Sequence, residues 1–178
     1  DLNLVSQKKP LLEGGKGYVE LGGNSNTYYY SLTDLRTKGM IRIGNKWVDV
    51  IGKSWMDHQW ANAPYRKDKW TWFSLQLDNN IEIMIVEYGR LGDKTKLASI
   101  TYKDNRQTNI SKFRITPMGK PWQSPKTKAR YPLEWLIELP EVGITLTAKA
   151  LVKHQEMLYG TVNYWEGPLD ISGTVKGK

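Results

Sequence analysis

Between Trp55 and Trp72 the chain gathers Trp55, Asp57, His58, Trp60, Trp70 and Trp72, four of its eight tryptophans and one of its two histidines. Imidazole exchanges a proton near neutral pH, so His58 is a candidate acid, base or hydrogen-bond donor. Alternation along an extended segment puts Trp55, Asp57 and Gln59 on one face and Met56, His58 and Trp60 on the other. On a regular strand Asp57 and His58 therefore form no side-chain dyad. A histidine hydrogen-bonded within a core is the plain alternative to a catalytic one, and from spacing alone it is the stronger reading. Trp70 and Trp72 share a face and make either a flat wall for a planar or polyene ligand or an ordinary core. In Tyr28-Tyr29-Tyr30-Ser31 neighbouring side chains face opposite sides, so at least one phenol points inward and needs a partner.

Three carboxylates join these candidates. Glu87 interrupts the apolar run IMIVEY and shares a face with Ile83 and Ile85, as a surface residue at a strand end or as an acid whose pKa is raised by desolvation. Glu166 follows Tyr164 and Trp165 in an aromatic setting, and Glu156 is the third. His58 and His154 are far apart in sequence and there is no cysteine, so no metal site is expected. No Walker loop, GxGxxG, GxSxG or HExxH occurs, and no cofactor is expected.

The elements that must position these residues read as strands. Period-two alternation recurs at 40–43, 46–51, 70–77, 81–88, 97–102, 109–115, 133–139, 144–151, 158–166 and 169–175, while helical periodicity is nearly absent. Asn, Asp and Gly fill the short gaps, as tight hairpins require. Short connections predict antiparallel neighbours and an all-β, up-and-down barrel of about 8–10 strands, with room for one small ligand. Residues 1–16 read as a flexible arm and 17–178 as a single domain, with a Pro/Lys-rich excursion at 116–132.

At 178 residues the chain is long enough to bury a core unaided. Its net charge of +8 raises the question of a polyanionic partner. The charges are dispersed, with one group at Arg66, Lys67 and Lys69 and another at Lys120, Lys126, Lys128 and Arg130. Nucleic acid is accordingly not expected as a partner; a basic oligonucleotide binder would need its Trp and Tyr side chains at the surface. No run approaches the roughly 20 apolar residues of a membrane span, and DLNLVSQKKP has no apolar signal core.

The ordered segments YYYSLT (28–33), GKSWMDHQW (52–60), WTWFSLQL (70–77), YPLEW (131–135), KHQE (153–156) and NYWEG (163–167) resemble the AttH-like and hydroxyneurosporene-synthase-like family. That family includes carotenoid 1,2-hydratases and decalin-forming Diels–Alderases, and many members carry the label of predicted secreted hydrolase. The resemblance implies lipocalin-like β domains, usually two, of which this chain resembles the second alone. It implies a calyx for a polyene, isoprenoid or polyketide, lined by Tyr28, Tyr30, Trp55, Asp57, Trp60, Trp70, Trp72, Tyr164 and Trp165. His58, Glu87 and Glu166 are the catalytic candidates if the chain acts as a cyclase, isomerase or hydratase on such a ligand. Partners implied are a hydrophobic small molecule and either a companion lipocalin-like domain or a second copy. The resemblance also points to export, with the cytoplasm left open. Three positions depart from the family pattern: Ala61 stands where glycine is usual, Glu87 is the sole acid in 84–88, and GKGYVEL lies at 15–21 rather than near the end.

Overall fold

The computed structural model describes residues 1–178 except 23, 63–67, 91–92, 161 and 177–178. Arg66 and Lys67 of the first basic group thus lie outside the described residues. In chain order the strands are β1 (Leu2–Ser6), β2 (Leu11–Leu12), β3 (Tyr18–Gly22), β4 (Ser25–Ile43), β5 (Lys46–Ala61), β6 (Lys69–Gln76), β7 (Glu82–Arg90), β8 (Asp93–Thr101) and β9 (Gln107–Ile110). They continue with β10 (Arg114–Pro117), β11 (Trp122–Gln123), β12 (Arg130–Tyr131), β13 (Glu134–Leu139), β14 (Ile144–Ala150), β15 (Glu156–Tyr159), β16 (Val162–Trp165) and β17 (Leu169–Val175). The helical pieces among the described residues are two 3₁₀ turns, Glu13–Gly15 and Pro140–Val142. Among the described residues no helix is long and apolar enough to cross a membrane. The chain divides into two compact units, Asp1–Ser111 and Lys112–Lys178.

In the N-terminal unit the long strand β4 organises one sheet. β5 pairs along one side of it, while β3, β2 and β1 follow one another along the other side, opposite 25–28, 30–31 and 35–39. Gly44-Asn45 makes the two-residue connection between β4 and β5, with Gly44 at φ 60°. The stretch read as a flexible arm thus carries two strands, both bonded to β4. Gly39 allows β1 to come close, because a Cβ there would lie 2.2 Å from the carbonyl oxygen of Asp1. Likewise GKGYVEL supplies β3, which forms a hairpin with the start of β4. The second sheet is the meander β6-β7-β8-β9.

Tyr29 of the first sheet packs with Met84 and Leu97 of the second, with Val19, Trp55, Trp72 and Val86 around them. This is the inner face of the unit. Its ladders form two separate sheets, so among the described residues no single barrel closes. The architecture is all-β and antiparallel. The up-and-down order expected for the whole chain holds within β6–β9, whereas β4 collects four strands by virtue of its length.

The C-terminal unit holds the antiparallel sheet β10-β13-β14-β17 and the small pairs β11-β12 and β15-β16. Trp135, Ile137 and Leu139 on β13 stand opposite Ala148, Leu146 and Ile144 on β14, and all six are buried. Such directly opposed apolar pairs are what stabilise a sheet face.

Candidate functional site

The pairing of β4 with β5 sets the geometry of the motif. Tyr28 stands opposite Trp60, Tyr30 opposite His58, and Ser31 opposite Asp57. Side chains alternate, so the cluster divides between two faces.

The outer face carries a row of rings. Tyr18 meets Tyr28 edge-on at 5.5 Å, and Tyr28 stacks on Trp60 at 5.5 Å. Trp60 meets His58 at 5.1 Å, and His58 meets Tyr30 at 5.3 Å. Tyr18, Tyr28 and Trp60 are 41%, 47% and 52% exposed, and His58 is exposed with them. Tyr30 Oη lies 3.0 Å from His58 Nδ1. That contact occupies one ring nitrogen and leaves Nε2 to act on whatever lies against the row.

On the inner face, three donors converge on one carboxylate oxygen. Ser31 Oγ donates to Asp57 Oδ1 at 2.6 Å, Trp55 Nε1 at 2.8 Å and Tyr29 Oη at 3.0 Å. Trp72 Nε1 donates in turn to Tyr29 Oη at 3.2 Å. Burial raises the Tyr29 pKa, and the nearby charges of Asp57 and Glu13 raise it further, which keeps this phenol a donor. Behind Ser31 lies Glu13, fully buried, with its Oε1 3.0 Å from Ser31 Oγ. Desolvation pushes its pKa from 4.5 to about 7, against hydrogen bonds from Ser99 and Ser31 that lower it. Trp70, on the same face of β6 as Trp72, is half-buried.

The remaining predicted residues lie on other elements. Glu87 makes a 2.8 Å ion pair with Lys96, its cross-strand partner on β8. Tyr164, Trp165 and Glu166 belong to the C-terminal unit. There Trp165 donates to Lys153 O at 2.8 Å, Tyr164 stacks with Tyr159, and Glu166 is exposed. Burial, followed by the charge of Glu166, raises the Tyr164 pKa. Glu156 ties the excursion of 116–132 to β15 by accepting from Ser124, Thr127 and Tyr131. Those donors and the charge of Lys126 lower its pKa, outweighing a desolvation that raises it. The same contact and burial lift Tyr131 to about 12. Among the described residues no group of three or more His, Asp or Glu is placed to hold a metal ion.

Glu13, Tyr29 and Ser31 are the polar residues that the sequence reading did not select. The alternation of YYYS requires an inward phenol, and Tyr29 is that one. Nothing in LLEGG signals a buried acid: Glu13 reaches the interior because Gly14 and Gly15, at φ 68° and 82°, turn the chain in a conformation that other residues rarely adopt.

Fold and site together define an antiparallel all-β protein with aromatic-faced strands in which an exposed histidine and a hydrogen-bonded aspartate occupy opposite faces of one hairpin. A family model described as AttH-like matches residues 1–178, and the chain belongs to the AttH-like family. Among curated proteins it is similar to the dehydratase asqC of Emericella nidulans, 26% identical over 165 residues that cover 87% of this chain and 47% of the relative. Among solved structures, kievitone hydratase from Nectria haematococca matches with a TM-score of 0.86 at 20% identity, covering 99% of this chain and 56% of that one. An AttH candidate from Nitrosomonas europaea matches with a TM-score of 0.83 at 23% identity, covering 97% and 56%. The chain therefore spans about half the length of the relatives it matches.

Proposed function

We propose that the chain takes part in hydratase- or dehydratase-type chemistry on a hydrophobic small molecule, with His58 as the acid/base group. The observation that carries this reading is an exposed imidazole with one nitrogen engaged by Tyr30, set in a row with Tyr28 and Trp60. Indole and phenol faces bind an apolar ring or polyene and exclude water from one side of it. Dehydration removes a proton from carbon and expels hydroxide. His58 Nε2 takes that proton and returns it to the departing oxygen, so that one alkene and one water leave. Hydration is the reverse. Tyr30 holds the ring's orientation in both directions. The hydratase and dehydratase names of two relatives support a reaction of this class over simple storage of a ligand.

In this reading Trp55, Asp57, Trp70 and Trp72 belong to the lipocalin-like interior between the two sheets of the N-terminal unit. The ligand lies outside that interior: the aromatic row on the opposite face of the β4–β5 hairpin is one wall of its site, and a companion lipocalin-like domain or a second copy supplies the facing one. The test is turnover of a panel of polyenes, isoprenoids and hydroxylated polyketides in water enriched in the heavy oxygen isotope. His58→Gln keeps a hydrogen-bonding side chain of similar reach, and it should lower turnover by about 10²-fold or more, the usual contribution of a general acid–base group. Tyr30→Phe should produce a smaller loss and an altered pH profile. Full activity in a folded His58→Gln protein would overturn the assignment.

A further inference from the structure

On the inner face the hydrogens do not suffice for two carboxylates. Ser31 has one hydroxyl hydrogen, yet its Oγ lies 2.6 Å from Asp57 Oδ1 and 3.0 Å from Glu13 Oε1. If both acids are ionised, one of these contacts has no hydrogen in it. The other groups around Glu13 bring little relief. Tyr29 on β4 gives its hydrogen to Asp57. Ser99 on β8 has one hydroxyl hydrogen, which it divides between Glu13 and Asn109 Oδ1 on β9, the latter at 2.8 Å. On β3, Val19 lies against Gly14 of this turn. Glu13 Oε2 is buried with no hydrogen-bond partner, a heavy cost for a charged oxygen and a modest one for a carbonyl.

We propose that Glu13 is a neutral acid whose hydrogen points at Ser31, that Ser31 passes its own hydrogen to Asp57, and that Glu13 and Ser31 are thereby positioning residues for the Asp57 carboxylate. One arrangement fills these contacts while keeping charge off the buried acid: Glu13 Oε1–H to Ser31 Oγ, Ser31 Oγ–H to Asp57 Oδ1, with Tyr29 and Trp55 completing the set. Shifting both hydrogens along the line leaves Glu13 ionised and Asp57 protonated, with no proton gained or lost. Asp57 is exposed whereas Glu13 is fully buried, so the line links a proton held in the core to a group that solvent reaches. His58 faces the other way, and the inference is independent of the ligand assigned to the outer face. The raised pKa of Glu13 agrees with the geometry.

The test is carbon-13 NMR of carboxyl-labelled Glu and Asp in the whole chain across pH, with resonances assigned through Glu13→Gln and Asp57→Asn. Glu13 should titrate with a midpoint near 7, and the Asp57 carboxyl should shift with the same midpoint. In Ser31→Ala that second shift should be lost, while Glu13 still titrates well above the usual carboxylate range because it stays buried. A loss of pH response through simple structural damage would instead change the amide spectrum throughout the unit. Titration of Glu13 in the ordinary carboxylate range, or an Asp57 signal indifferent to it in the unaltered chain, would overturn the proposal.

Discussion

Glu13 and Asp57 show how one small hydroxyl divides two acids into different roles. Asp57 accepts three donors on one oxygen and meets solvent, whereas Glu13 is sealed behind Ser31. The consequence for stability has a definite sign. The pKa of Glu13 rises from 4.5 to about 7 on folding, so the folded chain holds a proton that the unfolded chain releases across that interval. Below pH 4.5 this acid costs folding nothing, because it is protonated in both states. The cost grows as the pH rises and is complete above about 7, where it is on the order of 3 kcal/mol. Glu13→Gln should therefore flatten the dependence of Tm on pH across this interval and raise Tm above it. Parallel Tm curves for the two proteins would contradict the assignment. Alternation alone indicates at this scale that Asp57 and His58 face apart and that a phenol among 28–30 turns inward. It does not reveal Glu13, whose burial depends on two left-handed glycines and on strands more than eighty residues distant.

At the scale of elements, β1 and the turn after it are fastened by few but specific contacts. Met40 N donates to Asp1 O, Lys9 N donates to Asn105 Oδ1, and Lys8 forms an ion pair with Glu82. The Lys8 and Glu82 side chains are only 6% and 0% exposed. Burial raises the Glu82 pKa, and contact with Lys8 opposes that rise. Lys8→Met leaves a buried acid without its cation and should cost about 3–5 kcal/mol in urea denaturation. A loss below about 1 kcal/mol, within the range of surface pairs, would show that the pair is solvated. This attachment escapes a sequence reading, because an arm such as DLNLVSQKKP lacks alternation and its anchors lie in distant strands. The strands read at 81–88, 144–151 and 169–175, by contrast, are legible: their period and turn residues are local, and β7, β14 and β17 fall within two residues of those bounds, whereas β5 continues ten residues beyond the 46–51 read for it. β4 escaped as a single element because Tyr28–Ser31 and Met40–Ile43 read as separate runs, with the irregularity between Leu32 and Leu35 lying between them.

The whole molecule departs most from its sequence reading in closure. Short turns imply a meander, and a meander of this length suggests a barrel, but the ladders stop at sheet boundaries and the chain divides at Ser111 into two compact units. Local turn chemistry does not encode where a ladder ends. Exposed apolar side chains gather along β1 and the distal part of the β4–β5 hairpin, with Leu4, Ile43, Trp47 and Ile51 between 45% and 79% exposed. The chain also spans about half the length of its relatives. The central claim is that a hydrophobic ligand lies on the outer row of rings beside His58. It is tested most directly by two-dimensional NMR of the tryptophan indole and histidine ring signals during titration with a hydroxylated polyene. The account predicts saturable shifts of Trp60 and His58, with Trp55 and Trp72 unmoved. Shifts confined to Trp55 and Trp72, or no saturable shift at all, would contradict it.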